Sequence, residues 1–516
     1  MSPTHRRAFM TDVGRGMLAI GLGSHLAADL GFSTAFANEG AEGLSFGAYD
    51  PIVDLLQMTP AEKLQPVLVE KLQRGQTDLR TLIAAAALAN AETFGGQDYV
   101  GYHTAMAMLP AWEMTRLLPS ERQPLPVLKV LYRNSQQIQQ LGGASIKTLM
   151  AIHAAEHQHH ADLGDQIRDA SRRGQMDEGE RLFSELMDAS LDEKFNAIQP
   201  AVQDDVNVHR FVFAHRTRGL AELLGKEYAH TLLRQCVRFC VDNECHRLER
   251  NYAESPIRAL MPKLLDQYHL DGKQLGKRDP GDAAVEALAN TIYDGPAERS
   301  ADAVAAALAE GIDPEVVGEA ISLASNALVL RQGADRWRTH GDSAGVHSSD
   351  ATNAWRNMAR VTEARYAVSG LILAAYHTAA MSHFATPPYP TEEQRATIKT
   401  RDAAQLLAEA EDAVRNNDQG RAAAAIQVYG EAGHAPEPVF QSMLQFAISE
   451  DGRLHGEKFF HTVREEFATT RPAFRWRQLV ALARVIASAF GYNREDQHGF
   501  KAAGYEEACR LLGVTA

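Results

Sequence analysis

The sequence predicts an all-α protein that consists of two helical halves. Strong helix formers follow one another along most of the 516 residues. The sequence contains no run of alternating β-branched residues flanked by hairpin turns. In addition, the second half repeats a pattern of polar residues from the first half. We therefore expect an internally duplicated fold with two pseudo-symmetric helical halves.

The first 37 residues are typical of an export signal. Arg6 and Arg7 are followed by a weakly apolar, glycine-rich stretch, and the small residues Ala35 and Ala37 would allow cleavage. This N-terminus resembles the twin-arginine (Tat) signals. The resemblance implies that the protein is exported to the periplasm after folding, and proteins on this route often load a metal or cofactor first. The polar residues within the stretch argue against a stable membrane span.

Composition limits the classes of partner. An apolar fraction of 45% and a charged fraction of 23% are typical of a globular protein. The net charge of -14 disfavours nucleic acid and anionic membranes as partners, because both would require a basic face. We expect a small-molecule substrate, whose identity the sequence does not indicate.

Helix signals recur in both halves. Asp78 is a candidate N-cap for a helix that ends at residue 94, and Asp313-Pro314 places an N-cap before a proline at the first helical position. Further helices are predicted over residues 125–141, 146–172, 177–189, 220–252, 352–378, 400–416, 438–448 and 474–490.

A polar segment over residues 271–282 separates the two halves. We predict a signal peptide over residues 1–37, a first half over residues 38–275 and a second half over residues 276–516. A repeat of this length exceeds the period of short-repeat solenoids, so we expect a pair of helical domains.

Three histidines and one aspartate recur in register. The pairs are His103 with His347, Asp205 with Asp451, His209 with His455, and His215 with His461. Solvated polar side chains usually diverge after a duplication. Their joint retention therefore indicates chemistry.

The spacing of these residues suggests a metal site in each half. Asp205 and His209 are four residues apart, which on a helix places both side chains on one face. His103 would supply a third ligand. The equivalent set in the second half is His347, Asp451 and His455. Two histidines and one carboxylate form the ligand set of non-haem iron oxygenases. We therefore predict a transition-metal cofactor, with iron preferred over copper, manganese or zinc, and a metal-dependent oxidoreductase.

His215 and His461 are predicted to be catalytic residues rather than ligands. Six residues along a helix turn the side chain by about 240°, so His215 cannot share an ion with His209 on a continuous helix. Each would either orient a ligand or act as an acid or base.

Two other functions remain open. The histidines could be structural in a non-catalytic binding protein of the cell envelope, or they could serve a metal-free acid–base enzyme such as a lyase. A dense histidine cluster also occurs within the predicted helix 146–172, where an exposed polar face is the preferred interpretation. Its members are His153, His157, His159 and His160.

Overall fold

The computed structural model describes residues 43–155, 162–333, 343–381, 386–449, 454–490 and 504–516. In this part of the chain it contains 23 α-helices, two short 3-10 helices at Gly47–Tyr49 and Gly143–Ser145, and no β-strand. The prediction of an all-α fold is therefore confirmed. The predicted signal peptide lies outside the described residues.

Eleven helices belong to the first predicted half. They are α1 (Asp50–Met58), α2 (Ala61–Gln73), α3 (Leu79–Phe94), α4 (Tyr99–Thr115), α5 (Pro124–Leu141), α6 (Leu163–Arg172), α7 (Met176–Ser184), α8 (Leu191–Val202), α9 (Val208–Leu224), α10 (Lys226–Glu249) and α11 (Ile257–Gln267).

Twelve helices belong to the second predicted half. They are α12 (Asp282–Asp294), α13 (Ala297–Ala309), α14 (Pro314–Arg331), α15 (Ala344–Ala359), α16 (Ala364–Met381), α17 (Glu392–Thr397), α18 (Ala403–Arg415), α19 (Gln419–Glu431), α20 (Glu437–Ala447), α21 (His455–Thr469), α22 (Trp476–Ala489) and α23 (Tyr505–Leu512). None of the described helices combines the length and apolar character needed to cross a membrane.

The local signals read from the sequence explain several helix boundaries. The Asp78 side chain accepts a hydrogen bond from the Thr81 amide at 2.7 Å, and Asp313 caps α14 in the same way. The predicted helix 220–252 is instead two helices, because Gly225 has a φ of 117° and ends α9. The predicted helix 352–378 is also divided, into the end of α15 and most of α16.

The predicted helix 146–172 is wrong in its first part. The amides of Thr148 and Leu149 donate to the Glu92 carbonyl at 2.8 and 3.0 Å, which ties this segment to the end of α3. The next helix in the described part of the chain begins at Leu163. His153 is consequently exposed and non-helical, and the other three histidines of the predicted cluster lie outside the described residues.

Two large hydrophobic cores each contain helices from both predicted halves. The first is formed chiefly by α1–α5 together with α18–α23, and it includes Leu128 and Leu482. The second is formed chiefly by α6–α11 together with α12–α16, and it includes Phe239 and Trp355. The boundary predicted between residues 275 and 276 therefore does not separate the cores.

Two pairs of helices, one helix from each half, have equal lengths, which is compatible with a duplication. The duplication itself stays a prediction. Helices α2 and α13 each contain 13 residues, and α5 and α16 each contain 18.

Four helices between the two cores pack in a closed ring. Helix α4 contacts α9, α9 contacts α15, α15 contacts α21, and α21 contacts α4. Two of these helices come from each predicted half. We call this arrangement the central four-helix ring.

A buried ion pair connects the two halves beside this ring. Lys129 of α5 and Glu457 of α21 are 1% and 0% exposed, and their Nζ and Oε1 atoms are 2.6 Å apart. Lys129 also donates to the Ser449 carbonyl. In an apolar interior, each charge is tolerated mainly because its partner is present.

We expect Lys129→Met to lower the free energy of unfolding by about 3–5 kcal/mol, because the buried carboxylate of Glu457 would lose its ion-pair partner. Urea denaturation followed by circular dichroism measures this loss. The double variant Lys129→Met, Glu457→Met should regain most of the stability, because it removes both charges.

The matched control is the exposed pair formed by Glu70 and Arg74, whose side chains are 55% and 65% exposed. Arg74→Met should change stability by less than about 1 kcal/mol. A double variant no more stable than Lys129→Met would contradict this account of the buried pair.

Candidate functional site

Four imidazoles meet at the central four-helix ring. The ring centroids of His103 and His209 are 4.8 Å apart, and those of His209 and His347 are 6.1 Å apart. The centroid of His455 lies 5.9 Å from that of His347 and 6.0 Å from that of His103. Each imidazole thus has two imidazole neighbours. We call these four residues the histidine cluster.

The cluster lies where the N-terminal ends of four helices meet. His455 and His209 are the first and second residues of α21 and α9, and His347 and His103 are the fourth and fifth residues of α15 and α4. Asn207 caps α9 by accepting from the His209 amide at 3.0 Å. The N-terminal ends carry the positive partial charge of the helix dipoles, which disfavours additional positive charge on the imidazoles.

Backbone hydrogen bonds fix the proton on two of the rings. The Nδ1 atom of His103 donates to the Tyr99 carbonyl at 2.6 Å, and that of His347 donates to the Ser343 carbonyl at 3.1 Å. A carbonyl can only accept, so Nδ1 carries the proton and Nε2 carries the lone pair in a neutral ring. The Nε2 atoms of His103 and His209 are buried and have no hydrogen-bond partner among the described residues.

The electrostatic surroundings keep the imidazoles of His103 and His209 neutral. Burial lowers the pKa of His103 and His209 well below the ordinary histidine value. The positive charge of Lys458, itself buried on α21, lowers both pKa values further. Neutral imidazole is the form that binds metal ions.

Two tyrosines of α4 lie beside the cluster. The aromatic ring centroid of Tyr99 is 4.1 Å from the imidazole centroid of His103. The ring centroid of Tyr102 is 5.3 Å from the imidazole centroid of His209. Burial raises the pKa of Tyr102 well above its ordinary value, so its hydroxyl is protonated. These tyrosines are not recognisable from the repeat, although both lie within four residues before His103.

Asp205 does not share a helix with His209. It lies in the turn between α8, which ends at Val202, and α9, which begins at Val208. Its carboxylate accepts from the Val206 amide at 2.7 Å and lies 4.0 Å from the Arg210 guanidinium. The predicted helical spacing of this pair is therefore wrong.

Asp451, the predicted equivalent of Asp205, lies outside the described residues. The expectation of one histidine set in each half also differs from the observed geometry. The four imidazoles form one cluster, because the central four-helix ring brings the two halves together.

His215 and His461 form a second layer further along α9 and α21. Each lies six residues after a cluster histidine, which corresponds to about 9 Å along a helix. Burial and the neighbouring Arg216 lower the pKa of His215 to about 3. The Nδ1 atom of His461 lies 3.7 Å from Glu465, and burial lowers the pKa of this histidine too.

Two further buried polar residues, Asp350 and His377, lie near the cluster. Asp350 of α15 accepts from the Thr462 hydroxyl at 2.8 Å, and burial raises the pKa of its carboxyl group. His377 of α16 is 1% exposed, and burial together with His347 lowers its pKa to about 3. Asp350 aligns with Met106 in the first half, so the repeat gave no signal for it.

The side chains as placed do not form a complete metal site. Among the described residues, no group of three or more histidine, cysteine, aspartate and glutamate side chains has the spacing that holds a metal ion. The four cysteines, Cys236, Cys240, Cys245 and Cys509, are all free thiols.

Comparisons with protein-family models, curated proteins and solved structures find no match for this chain. Family membership therefore contributes nothing to a functional assignment. A functional assignment therefore depends on the buried polar residues of the central four-helix ring.

The buried histidines should make the protein sensitive to acid. The pKa of His215 is about 3 in the folded state and about 6.5 in an unfolded chain, so the unfolded chain binds one more proton between these values. The stability is complete above about pH 6.5 and falls by about 1.4 kcal/mol per pH unit for each such histidine as the pH decreases. His215→Leu should reduce this slope, as measured by urea denaturation between about pH 4.5 and 7.

The control is His153→Leu, which replaces an exposed histidine and should leave the slope unchanged. If His215→Leu retained the wild-type slope, His215 would not be the buried neutral group described above.

Proposed function

We propose that the protein binds one transition-metal ion at the histidine cluster and acts as an exported, metal-dependent oxidoreductase. The observation that carries the proposal is the pair of buried Nε2 atoms of His103 and His209. Each lacks a protein partner among the described residues and lies within a group of four imidazoles. A buried polar atom without a hydrogen-bond partner is unfavourable unless a ligand satisfies it, and Nε2 of His103 carries a lone pair that can bind a metal ion.

The spacing of the rings supports a single ion. Metal–nitrogen distances of about 2.0–2.1 Å place two imidazole centroids on one ion roughly 5–6 Å apart. The four neighbouring pairs of the cluster have centroid distances of 4.8–6.1 Å. Side-chain rotation would still have to bring the nitrogen atoms to ligand distance, because no three donors have that spacing as placed.

The donor set favours a redox-active ion. Imidazole nitrogen suits iron, copper, nickel and zinc. Imidazole ligands carry no negative charge to compensate that of the ion, and Lys458 lies near enough to lower the pKa of His103 and His209. These surroundings favour a lower oxidation state, so a bound iron or copper ion would supply one-electron chemistry. Iron, copper, manganese and zinc all remain candidates, with iron and copper favoured.

The protein's own residues would position the ligands and carry protons. The carbonyls of Tyr99 and Ser343 hold the imidazoles of His103 and His347 by their Nδ1 atoms, as expected of groups that orient metal ligands. In the second layer, His461 lies next to Glu465, whose side chain is 34% exposed. This pair would exchange protons between solvent and the buried layer.

The proposed location rests on the N-terminal sequence. The resemblance to twin-arginine signals fits a protein that folds and acquires a metal before export to the periplasm. The substrate would be a small molecule.

Metal analysis of the purified full chain tests the proposal. We expect about one equivalent of metal per chain after expression in metal-replete medium, since four ligands satisfy one ion. His209→Ala and His347→Ala each remove one ligand, one from each half. Each variant should lose most of the metal, because the halves share the ion.

His153→Ala is the control and should retain the wild-type metal content, and circular dichroism should confirm that all variants are helical. Two independent sites would instead give about two equivalents, with half retained in each variant. A wild-type content below about 0.2 equivalents would contradict metal binding.

A further inference from the structure

One buried arginine of the second layer has donor atoms without a hydrogen-bond partner among the described residues. Arg216 of α9 is 1% exposed. Its Nε and Nη1 atoms are buried and have no hydrogen-bond partner among the described residues. Other buried arginines are paired: Arg210 lies 2.8 Å from Glu244, and Arg234 lies 3.1 Å from Glu180. Arg216 is therefore a buried cation with two unused donor atoms, Nε and Nη1.

The nearby acidic side chains have other partners. Asp350 accepts from Thr462, and Glu465 accepts from the Asn357 side chain at 2.9 Å. Glu465 also lies 3.7 Å from His461. Both carboxylates influence Arg216 electrostatically, but neither forms a hydrogen bond with it.

A guanidinium keeps its positive charge over the physiological pH range, and burying its N–H donors without hydrogen bonds is unfavourable even where carboxylates lie nearby. The adjacent His215 also has a buried Nε2 atom without a partner among the described residues. Two neighbouring residues of one helix thus present unsatisfied polar atoms to the same interior layer. An anionic ligand would satisfy the guanidinium, whose planar donors match the oxygens of a carboxylate or a small oxyanion.

We propose that Arg216 binds a small monovalent anion, a carboxylate or oxyanion of the size of formate or nitrite, in the layer that also contains His215 and His461. The site is separate from the histidine cluster, and it requires no bound metal.

Anion binding is tested on the full chain after treatment with a chelator and dialysis into chloride-free HEPES buffer. Formate and nitrite are titrated separately at constant ionic strength, and thermal unfolding and calorimetry report binding. The melting temperature of the wild type should rise by about 2 °C at saturation. Arg216→Met should show no response to either anion. Without anion it should melt at the same temperature as the wild type or higher, because it lacks the unpaired charge.

Arg218→Met is the matched control. Arg218 lies on the same helix, but it is paired with Asp192 at 2.8 Å, so its replacement should leave the response to anions intact. If Arg216→Met does not fold, Arg216→Lys should bind either anion at least about tenfold more weakly, because it lacks the planar donor pair.

An equal response of the wild type and Arg216→Met to both anions would overturn the proposal. The proposal would also be overturned if the wild type responded to neither anion, or if Arg216→Lys bound the anions with unchanged affinity. The metal content of untreated protein is measured separately, so failure of the anion site is distinguishable from failure of the metal site.

Discussion

The packing of the central four-helix ring is the constraint on which the rest of the structure depends. Helices α4, α9, α15 and α21 each contact the next, and α21 contacts α4 again. Because of this closed arrangement, their histidine-bearing N-terminal turns meet in the interior. Burial there removes the imidazoles from water and lowers the pKa values of His103 and His209. Looser packing would let water reach the imidazoles of His103 and His209, which would then become protonated more easily. The ring thus determines the position and the charge of the candidate ligands.

The polar interior of this ring is unfavourable for stability, and the two large apolar cores on either side offset it. It contains the buried Nε2 atoms of His103 and His209 and the buried Nε and Nη1 atoms of Arg216, which have no hydrogen-bond partner among the described residues, and it also contains the strained Leu454. Leu454 has a φ of 67° and directly precedes His455, although a bulky side chain disfavours that conformation. Unsatisfied groups and backbone strain of this kind are typical of functional sites.

The sequence predicted the all-α fold and several helix caps, because those depend on local residue preferences. It also singled out the repeated histidines, but recurrence shows which residues correspond and not which residues pack together. The single cluster depends on contacts between distant helices, which no local pattern encodes. Asp205 was misplaced because helical periodicity was extended across a turn. His377 and Arg216 were missed because neither recurs in the other half, where Arg133 and Thr462 occupy the equivalent positions.

The most direct measurement is an experimental crystal structure of the metal-free full chain, from which the distances between imidazole centroids in different halves are read. The central claim predicts distances of about 6 Å from His103 to His455 and from His209 to His347, as in the structure described above. Distances beyond about 12 Å, with the histidines of each half apart from those of the other, would exclude a shared ion and contradict the claim.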